Sequence, residues 1–210
     1  MFRLTLFTFC VAMMTLTQNA IASDEGLDLI THFENTHTGN AKKRFHTWKN
    51  LIIDNQSKST AEKLKATNDL FNLFAYQSDT EFEGVEDYWK TPEEFVNDGG
   101  GDCEDYAITK YFTLITLGIP ESSLRITYVK SLKFGAHMVL AYYETPEAEP
   151  LVLDNLEPAI KPASQRPDLI PIYSFNGGGL WLAKQRGGDK PLSSSSSLGQ
   201  WTALISRMKH

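Results

Sequence analysis

Apolar residues recur at helical spacing in the first half of the chain and alternate with polar residues in the second half. The helical pattern covers residues 40–54 and 59–76, so we predict an amphipathic helix over each range. After Pro120 the period becomes two, in short segments rich in β-branched and aromatic residues. Helices followed by a run of strands predict an α+β domain. The predicted antiparallel strands are 124–129, 136–143, 151–154 and 170–175.

Two further helices are predicted on either side of the glycines 99–101. The segment 91–94 (Thr-Pro-Glu-Glu) combines a capping residue, a first-turn proline and a capping-box glutamate, so a short helix begins there and ends by Asp98. The next helix begins at residue 102 or 103 and ends at Leu117, ahead of a glycine. A short helix over 199–208 is expected to be loosely attached, since it follows a run of serines.

The N-terminal residues 1–22 have the pattern of a secretory signal peptide. A basic start at Arg3 is followed by a largely apolar stretch, and Ala20 and Ala22 are the small residues that favour cleavage after Ala22. The alternative is a membrane anchor, but about 13 apolar residues fall short of the roughly 20 that cross a bilayer. We therefore expect an exported protein with no membrane span after cleavage. Its expected parts are one compact domain at 23–190 and a serine-rich linker with a short C-terminal segment at 191–210.

Cleavage would change both the charge and the cysteine content. Arg3 is the only charged residue removed, so 20 basic residues become 19 against 26 acidic ones, and the net charge goes from −6 to −7. This balance argues against nucleic acids and anionic membrane surfaces as partners. Cys10 is also removed, which leaves Cys103 without an internal disulfide partner. A single cysteine in an exported protein is a candidate reactive thiol.

Cys103 lies among three acids at the start of a predicted helix. Backbone N–H groups at the helix N-terminus and a nearby imidazolium favour the reactive thiolate. Asp102, Glu104 and Asp105 oppose it, because neighbouring carboxylates raise the pKa of a thiol. Either the carboxylates point away, or a cation neutralises them. The alternative role of these acids is to cap the helix N-terminus, where negative charge is favoured.

His137 and Asp154 are the candidate partners of the thiol. Of the five histidines, His137 is the best placed, because it lies within a predicted strand. Asp154 ends the next apolar strand, where its carboxylate can orient an imidazole. The order Cys, His, Asp is that of papain-like and transglutaminase-like folds. From spacing alone, a buried cysteine, a core histidine and a strand-end aspartate remain equally good interpretations.

Four blocks of sequence together resemble the LapG-type bacterial transglutaminase-like cysteine proteinases. The resemblance covers roughly residues 40–180 and includes the order and spacing of the blocks. It implies a papain/transglutaminase-like α+β fold, with N-terminal helices and the nucleophile at a helix N-terminus packed on an antiparallel sheet. The blocks are 89–95 (WKTPEEF), 100–107 (GGDCEDYA), 136–142 (AHMVLAY) and 153–155 (LDN).

The resemblance assigns roles to the candidate residues. It implies Cys103 as nucleophile, His137 as general base and acid, and Asp154 as the orienting carboxylate. The backbone N–H of Cys103 could help hold the oxyanion. The Trp89 indole is a possible second donor, although an aromatic packed beneath the active-site helix is the alternative.

The resemblance also implies a calcium ion, held by the acids around the nucleophile. Carried onto this chain, the ligands are Asp102, Glu104 and Asp105. Ca²⁺ takes about 6–8 oxygen ligands, so backbone carbonyls, another side chain or water would have to complete the shell.

The function implied by the resemblance is that of a calcium-dependent periplasmic endopeptidase. Its substrate would be a large surface adhesin, cut at a small-residue, di-alanine-type site near the membrane-retained N-terminus, which promotes biofilm dispersal. Its partner would be the periplasmic domain of a LapD-like, c-di-GMP-responsive inner-membrane receptor. Two alternatives remain: transglutaminase-type acyl transfer to an amine, and a non-catalytic calcium-dependent binding module.

Overall fold

The computed structural model describes residues 24–78, 87–182 and 191–208. The predicted signal peptide at 1–22 lies outside these residues and stays a prediction. No helix in the described ranges is long and apolar enough to cross a membrane.

The helices fall in the first half of the chain, with one near the C-terminus. They are α1 at residues 24–36, α2 (Gly39–Asn55), α3 (Thr60–Phe71), α4 (Pro92–Asp98), α5 (Cys103–Thr116) and α6 (Gly199–Arg207). The predictions for α2, α4, α5 and α6 are confirmed to within a residue or two, whereas α1 was not predicted.

The helix predicted over 59–76 is wrong at its C-terminal end. It stops at Phe71, and the strand β1 (Ala75–Tyr76) pairs in parallel with β2 (Gly100–Gly101). The apolar spacing continues past Phe71, but backbone hydrogen bonds to the glycine segment replace the helical ones there. This short pair fixes the approach to α5.

Both helices around the glycines begin with a capping box. In α4 the Glu94 N–H donates to Thr91 Oγ1 at 3.2 Å and the Thr91 N–H donates to Glu94 Oε2 at 2.7 Å. In α5 the Asp102 N–H donates to Asp105 Oδ2 at 3.1 Å. Gly99, with φ of 83°, ends α4 in the left-handed conformation that favours glycine. The predicted helix starts are confirmed.

The second half of the chain forms an antiparallel six-stranded sheet in the order β6-β5-β4-β3-β7-β8. The strands at the predicted positions are confirmed, and β6 and β8 are additional. Their bounds are β3 (Leu124–Ser131), β4 (Gly135–Tyr142), β5 (Leu151–Leu153), β6 (Lys161–Pro162), β7 (Leu169–Asn176) and β8 (Gly179–Leu182).

Helix α5 is the centre of the core. It packs against β3 and β4 and also against α3 and α4, so it is buried around most of its circumference. Of its predicted buried face, Ala107, Tyr111 and Leu114 are buried and Ile115 is only partly buried. Several of its buried polar residues have partners of their own. The Trp48 indole N–H, for example, donates to the Thr113 hydroxyl at 2.9 Å.

Helix α6 is attached to this core, contrary to the expectation of a loose segment. Trp201 is buried and stacks on Phe112, with ring centroids 5.9 Å apart and planes inclined by 8°. It also meets the Phe175 ring edge-on. Leu204 of the same helix is also fully buried in the core. The run of serines before the helix hid this attachment from the sequence pattern.

We expect Gly100→Ala to destabilise the protein by about 1–3 kcal/mol, as overpacking does in a well-packed interior. A Cβ at Gly100 would overlap the carbonyl oxygen of Ala75, which is backbone and cannot move aside cheaply. Urea unfolding measures the free energy. The matched control is Gly199→Ala, where a Cβ meets nothing within 4 Å at the start of α6. Equal stabilities of the two variants would contradict the close approach of β1 and β2.

Candidate active site

Cys103 is the first residue of α5 and is partly buried where the helix meets β4. Its Sγ accepts a hydrogen bond from the backbone N–H of Met138, the residue after His137. The fold therefore brings the thiol beside the strand that bears the candidate imidazole. These contacts come from elements far apart in sequence.

His137 and Asp154 are joined by a buried hydrogen bond. His137 Nε2 lies 2.8 Å from Asp154 Oδ1, and the two residues are 3% and 1% exposed. Asp154 follows β5 directly, and β5 is the neighbour of β4 in the sheet. Because an ionised carboxylate only accepts hydrogen bonds, Nε2 carries the hydrogen and Nδ1 is left as the basic nitrogen.

Several donors converge on the Asp154 carboxylate. Its Oδ1 also accepts the Leu156 N–H at 3.0 Å, and its Oδ2 accepts Arg166 Nη2 at 2.8 Å. Burial by itself would raise the pKa of Asp154. The hydrogen bond and charge of His137, with those from Leu156 and Arg166, outweigh it and lower the pKa from 3.8 to about 2. The carboxylate is therefore ionised wherever the protein is folded near neutral pH.

Arg166 is a site residue that sequence reasoning missed. It is 7% exposed and holds Asp154 with Nη2, while Asp168 accepts from its Nε at 3.0 Å and its Nη2 at 2.9 Å. It lies in the proline-rich segment after β5, which has no periodicity, so no sequence signal distinguished it. Its position depends on the return of the chain through β6 toward the strand-end aspartate.

A buried lysine on α5 forms a second support for the Asp154 loop. Lys110 Nζ donates to Asn68 Oδ1 at 2.8 Å and to Asn72 Oδ1 at 2.7 Å. The amides of these asparagines donate in turn to the backbone carbonyls of Pro158 and Asp154, each at 2.9 Å. Burial lowers the pKa of Lys110 to about 7, although the charge of Asp154 partly offsets this. Sequence reasoning missed this network too, because each member looks like an ordinary helix residue.

The three acids around Cys103 do not have the same environment. Asp105 is fully buried; its Oδ1 accepts the Lys90 N–H at 2.7 Å, and its Oδ2 accepts the Asp102 N–H. These contacts favour the helix-capping alternative for Asp105. Asp102 and Glu104 instead have side chains in hydrogen-bond contact with each other, on the side facing the thiol.

Burial and the neighbouring carboxylates raise the pKa of the Cys103 thiol, and burial raises the pKa of Glu104. The charge of Asp87 raises the pKa of Glu104 further. Hydrogen bonds to Glu104 lower its pKa and partly offset these effects. Burial also raises the pKa of the Cys103 thiol far above its usual range. The charge of Glu104, its hydrogen bond to Sγ at 3.0 Å and the charge of Asp102 add to this effect. With these acids ionised and no counter-charge, the thiol keeps its proton.

In the described parts of the chain, no three His, Cys, Asp or Glu side chains are arranged as a metal site by themselves. Asp102 and Glu104 nevertheless fit a cation, because two carboxylates in contact need a shared proton or a positive charge between them. Asp87, whose charge acts on Glu104, is a neighbouring acid that sequence reasoning missed.

Trp89 packs in the way that the alternative predicted. Its ring stacks on Phe175 of β7 at 5.6 Å, and its indole N–H donates to Asp87 Oδ1 at 2.8 Å. The indole donor is therefore used within the protein, which argues against a role as second oxyanion donor.

A cavity of about 210 Å³ opens beside the histidine and aspartate. His137 and Asp154 form one wall, and the exposed side chains of Phe134 and Leu156 lie at its edge. The cavity thus adjoins the histidine–aspartate pair, but Cys103 is not one of its lining residues.

A thiol at a helix N-terminus, beside a histidine–aspartate pair on an antiparallel sheet, defines a papain/transglutaminase-like cysteine protease fold. Residues 33–171 match the family model described as bacterial transglutaminase-like cysteine proteinase BTLCP, and the chain belongs to this family. The expected α+β fold class is confirmed.

Solved structures of Legionella pneumophila LapG are similar over most of the chain. The calcium-bound form is 51% identical, with a TM-score of 0.79, and the match covers 87% of this chain and 98% of that one. The EGTA-treated form is 50% identical, with a TM-score of 0.80 and coverages of 87% and 97%. A further LapG structure is 50% identical, with a TM-score of 0.79 and coverages of 87% and 95%. A comparison with curated proteins finds no match.

We expect Asp154→Asn to lower the free energy of unfolding at pH 7 by on the order of 2 kcal/mol. The folded-state pKa of Asp154 lies below its ordinary value, so ionised Asp154 stabilises the fold fully above about pH 4. That stability is lost as the pH falls toward 2. The free energies of unfolding of wild type and variant, measured with denaturant, should therefore converge as the pH falls from about 4 toward 2.

The matched control for this prediction is Asp168→Asn, which removes the more exposed of the two carboxylates on Arg166. We expect a much smaller effect, because solvent screens that pair. A stability difference for Asp154→Asn that is independent of pH would contradict the assignment of ionised Asp154 to the buried network.

Proposed function

We propose that this cysteine proteinase is an endopeptidase that uses Cys103, His137 and Asp154 as its catalytic residues. The observation that supports this best is the buried hydrogen bond between His137 and Asp154. Met138, the residue after His137 on the same strand, donates its backbone N–H to the Cys103 sulfur. A binding module would have no need of an ionised carboxylate with three convergent hydrogen bonds at this depth. That argument disfavours the non-catalytic alternative.

The proposed mechanism is that of a thiol protease. His137 takes the thiol proton, and the Cys103 sulfur bonds to the carbonyl carbon of the scissile peptide. First-turn N–H groups of α5, including that of Cys103, have no partner within the helix and can donate to the oxyanion. His137 then gives the proton to the leaving amine as the C–N bond breaks. Water hydrolyses the thioester and restores the thiol, while Asp154 keeps the imidazole oriented throughout.

We further propose that the enzyme depends on calcium, with Asp102 and Glu104 as ligands from the side chains around the nucleophile. Their mutual contact supports this role, as does the fact that similar LapG structures were solved calcium-bound and EGTA-treated. Asp105 belongs to the same acidic segment, but its contacts fit a helix cap better than a ligand. A bound ion would supply positive charge beside the thiol, which favours the thiolate.

The proposed setting is the periplasm, after removal of residues 1–22. The substrate would be a large surface adhesin cut at a di-alanine-type site near its N-terminus, and a LapD-like receptor would restrain the enzyme. The family and the similarity to LapG support this part of the proposal. Transglutaminase-type transfer is the remaining alternative, since it uses the same three residues with an amine in place of water.

We expect Cys103→Ala to reduce cleavage of an adhesin fragment by at least about a thousandfold, because no other group supplies the nucleophile. Gel electrophoresis should reveal two shorter products with wild type. A fragment whose two alanines are replaced by arginines is the substrate control. As a folding control, the unfolding midpoints of wild type and variant are measured, and they should be equal. A cross-linked ladder in place of two products would favour acyl transfer, and undiminished cleavage by the variant would exclude Cys103 as nucleophile.

We expect EGTA to abolish cleavage and added Ca²⁺, but not Mg²⁺, to restore it. Asp102→Asn and Glu104→Gln should each weaken calcium binding, measured by titration calorimetry, by about tenfold or more, because each removes a charged oxygen ligand. Asp69→Asn, an exposed acid on α3, is the control and should bind calcium as wild type does. Asp105→Asn should lower the unfolding midpoint, and it should reduce calcium affinity less than Asp102→Asn or Glu104→Gln does. Full activity in EGTA would refute the calcium requirement.

A further inference from the structure

The sheet has a second face, opposite α5, and this face contains a groove of about 490 Å³. Its floor is the small apolar cluster of Val129, Val139 and Val152, which is separate from the main core. Ala141 continues this floor along β4. A concave apolar surface of this volume falls in the range of about 300–1,000 Å³ that is typical of small-molecule sites.

Arg125, on β3, forms one end of the groove and is 8% exposed. Its guanidinium contacts two aromatic rings, 4.9 Å from the Tyr143 centroid and 4.3 Å from the Trp181 centroid. A guanidinium that stacks on aromatic rings makes its hydrogen bonds through its edge.

The Nε of this guanidinium has no acceptor in the part of the chain that the structure describes, and Trp181 Nε1 beside it is likewise unsatisfied. A buried charge and buried N–H donors without acceptors cost free energy, and natural proteins seldom leave them so. Arg125 lines the end of the apolar groove, and the Trp181 ring that contacts it lies just outside the lining residues. The orphan donor on Arg125 indicates a missing acceptor in the groove.

The other charged residues of the groove have different tasks. Arg166 also lines it, and its Nη1 likewise has no acceptor among the described residues, but its charge is already paired with Asp154 and Asp168. Glu149 accepts the Ser164 N–H at 2.6 Å, and Glu147 is exposed at the rim. Arg125 is therefore the guanidinium that is available to an anion, and a planar carboxylate matches its edge.

We propose that this groove binds a small organic carboxylate, with its apolar body on the valine floor and its carboxylate on the Arg125 guanidinium. The site lies on the face of the sheet opposite Cys103 and is distinct from the proposed peptidase site. Binding of a carboxylate in this groove depends neither on the proposed peptidase activity nor on the proposed calcium requirement.

Octanoate is the probe, and octanamide is its neutral counterpart of the same length. Calorimetry on the full protein should give affinity for octanoate about tenfold or more above that for octanamide, because a charge-assisted hydrogen bond distinguishes the two. In ¹⁵N–¹H spectra octanoate should shift the Trp181 indole signal and leave that of Trp89 in place. Equal affinities for the two probes, or an unmoved Trp181 signal at millimolar octanoate, would overturn the proposal.

Arg125→Met should remove the preference for octanoate over octanamide. The matched control is Lys130→Met, which removes an exposed cation from the same strand and should leave the preference intact. Should Arg125→Met lower the unfolding midpoint, Ala141→Phe decides the question, because it fills the floor and keeps Arg125. Octanoate binding that survives Ala141→Phe at wild-type affinity would place the ligand elsewhere.

Discussion

The hydrogen bond between His137 and Asp154 is the interaction on which the site depends. It joins β4 to the end of β5, and it is buried, so each partner needs the other. Arg166 holds the aspartate from one side, and the Lys110 network holds its backbone carbonyl through Asn72 from another. The candidate catalytic geometry is therefore supported by the sheet, by helices α3 and α5, and by the segment that carries Arg166.

Negative charge at the start of α5 opposes the chemistry that this geometry supports. A helix N-terminus favours acids, and Asp105 uses that preference to cap α5 and to hold the Lys90 N–H. Glu104 and Asp102 meet each other and the Cys103 thiol, and so raise the pKa of the thiol. The proposed calcium requirement would reconcile the two effects, since a cation beside these carboxylates would offset their negative charge and favour the thiolate.

Local structure could be predicted from the sequence wherever a few adjacent residues determine it. The capping box at Thr91, the stop at the glycines and the start of α5 follow from the turn-forming and capping preferences of neighbouring residues. The end of α3 and the docking of Trp201 did not follow. Both depend on partners distant in the chain, namely Gly100–Gly101 and the Phe112 ring.

The sequence by itself determined the α+β order of elements and the three residues from which a thiol, an imidazole and a carboxylate could be assembled. Only the tertiary structure decided that Asp154 has Arg166 as a partner, that Asp105 differs from Asp102 and Glu104, and that Arg125 faces a groove without an acceptor. The physical reason is that capping and periodicity act over a few residues. Hydrogen bonds among buried charges depend on which strands and loops are brought together.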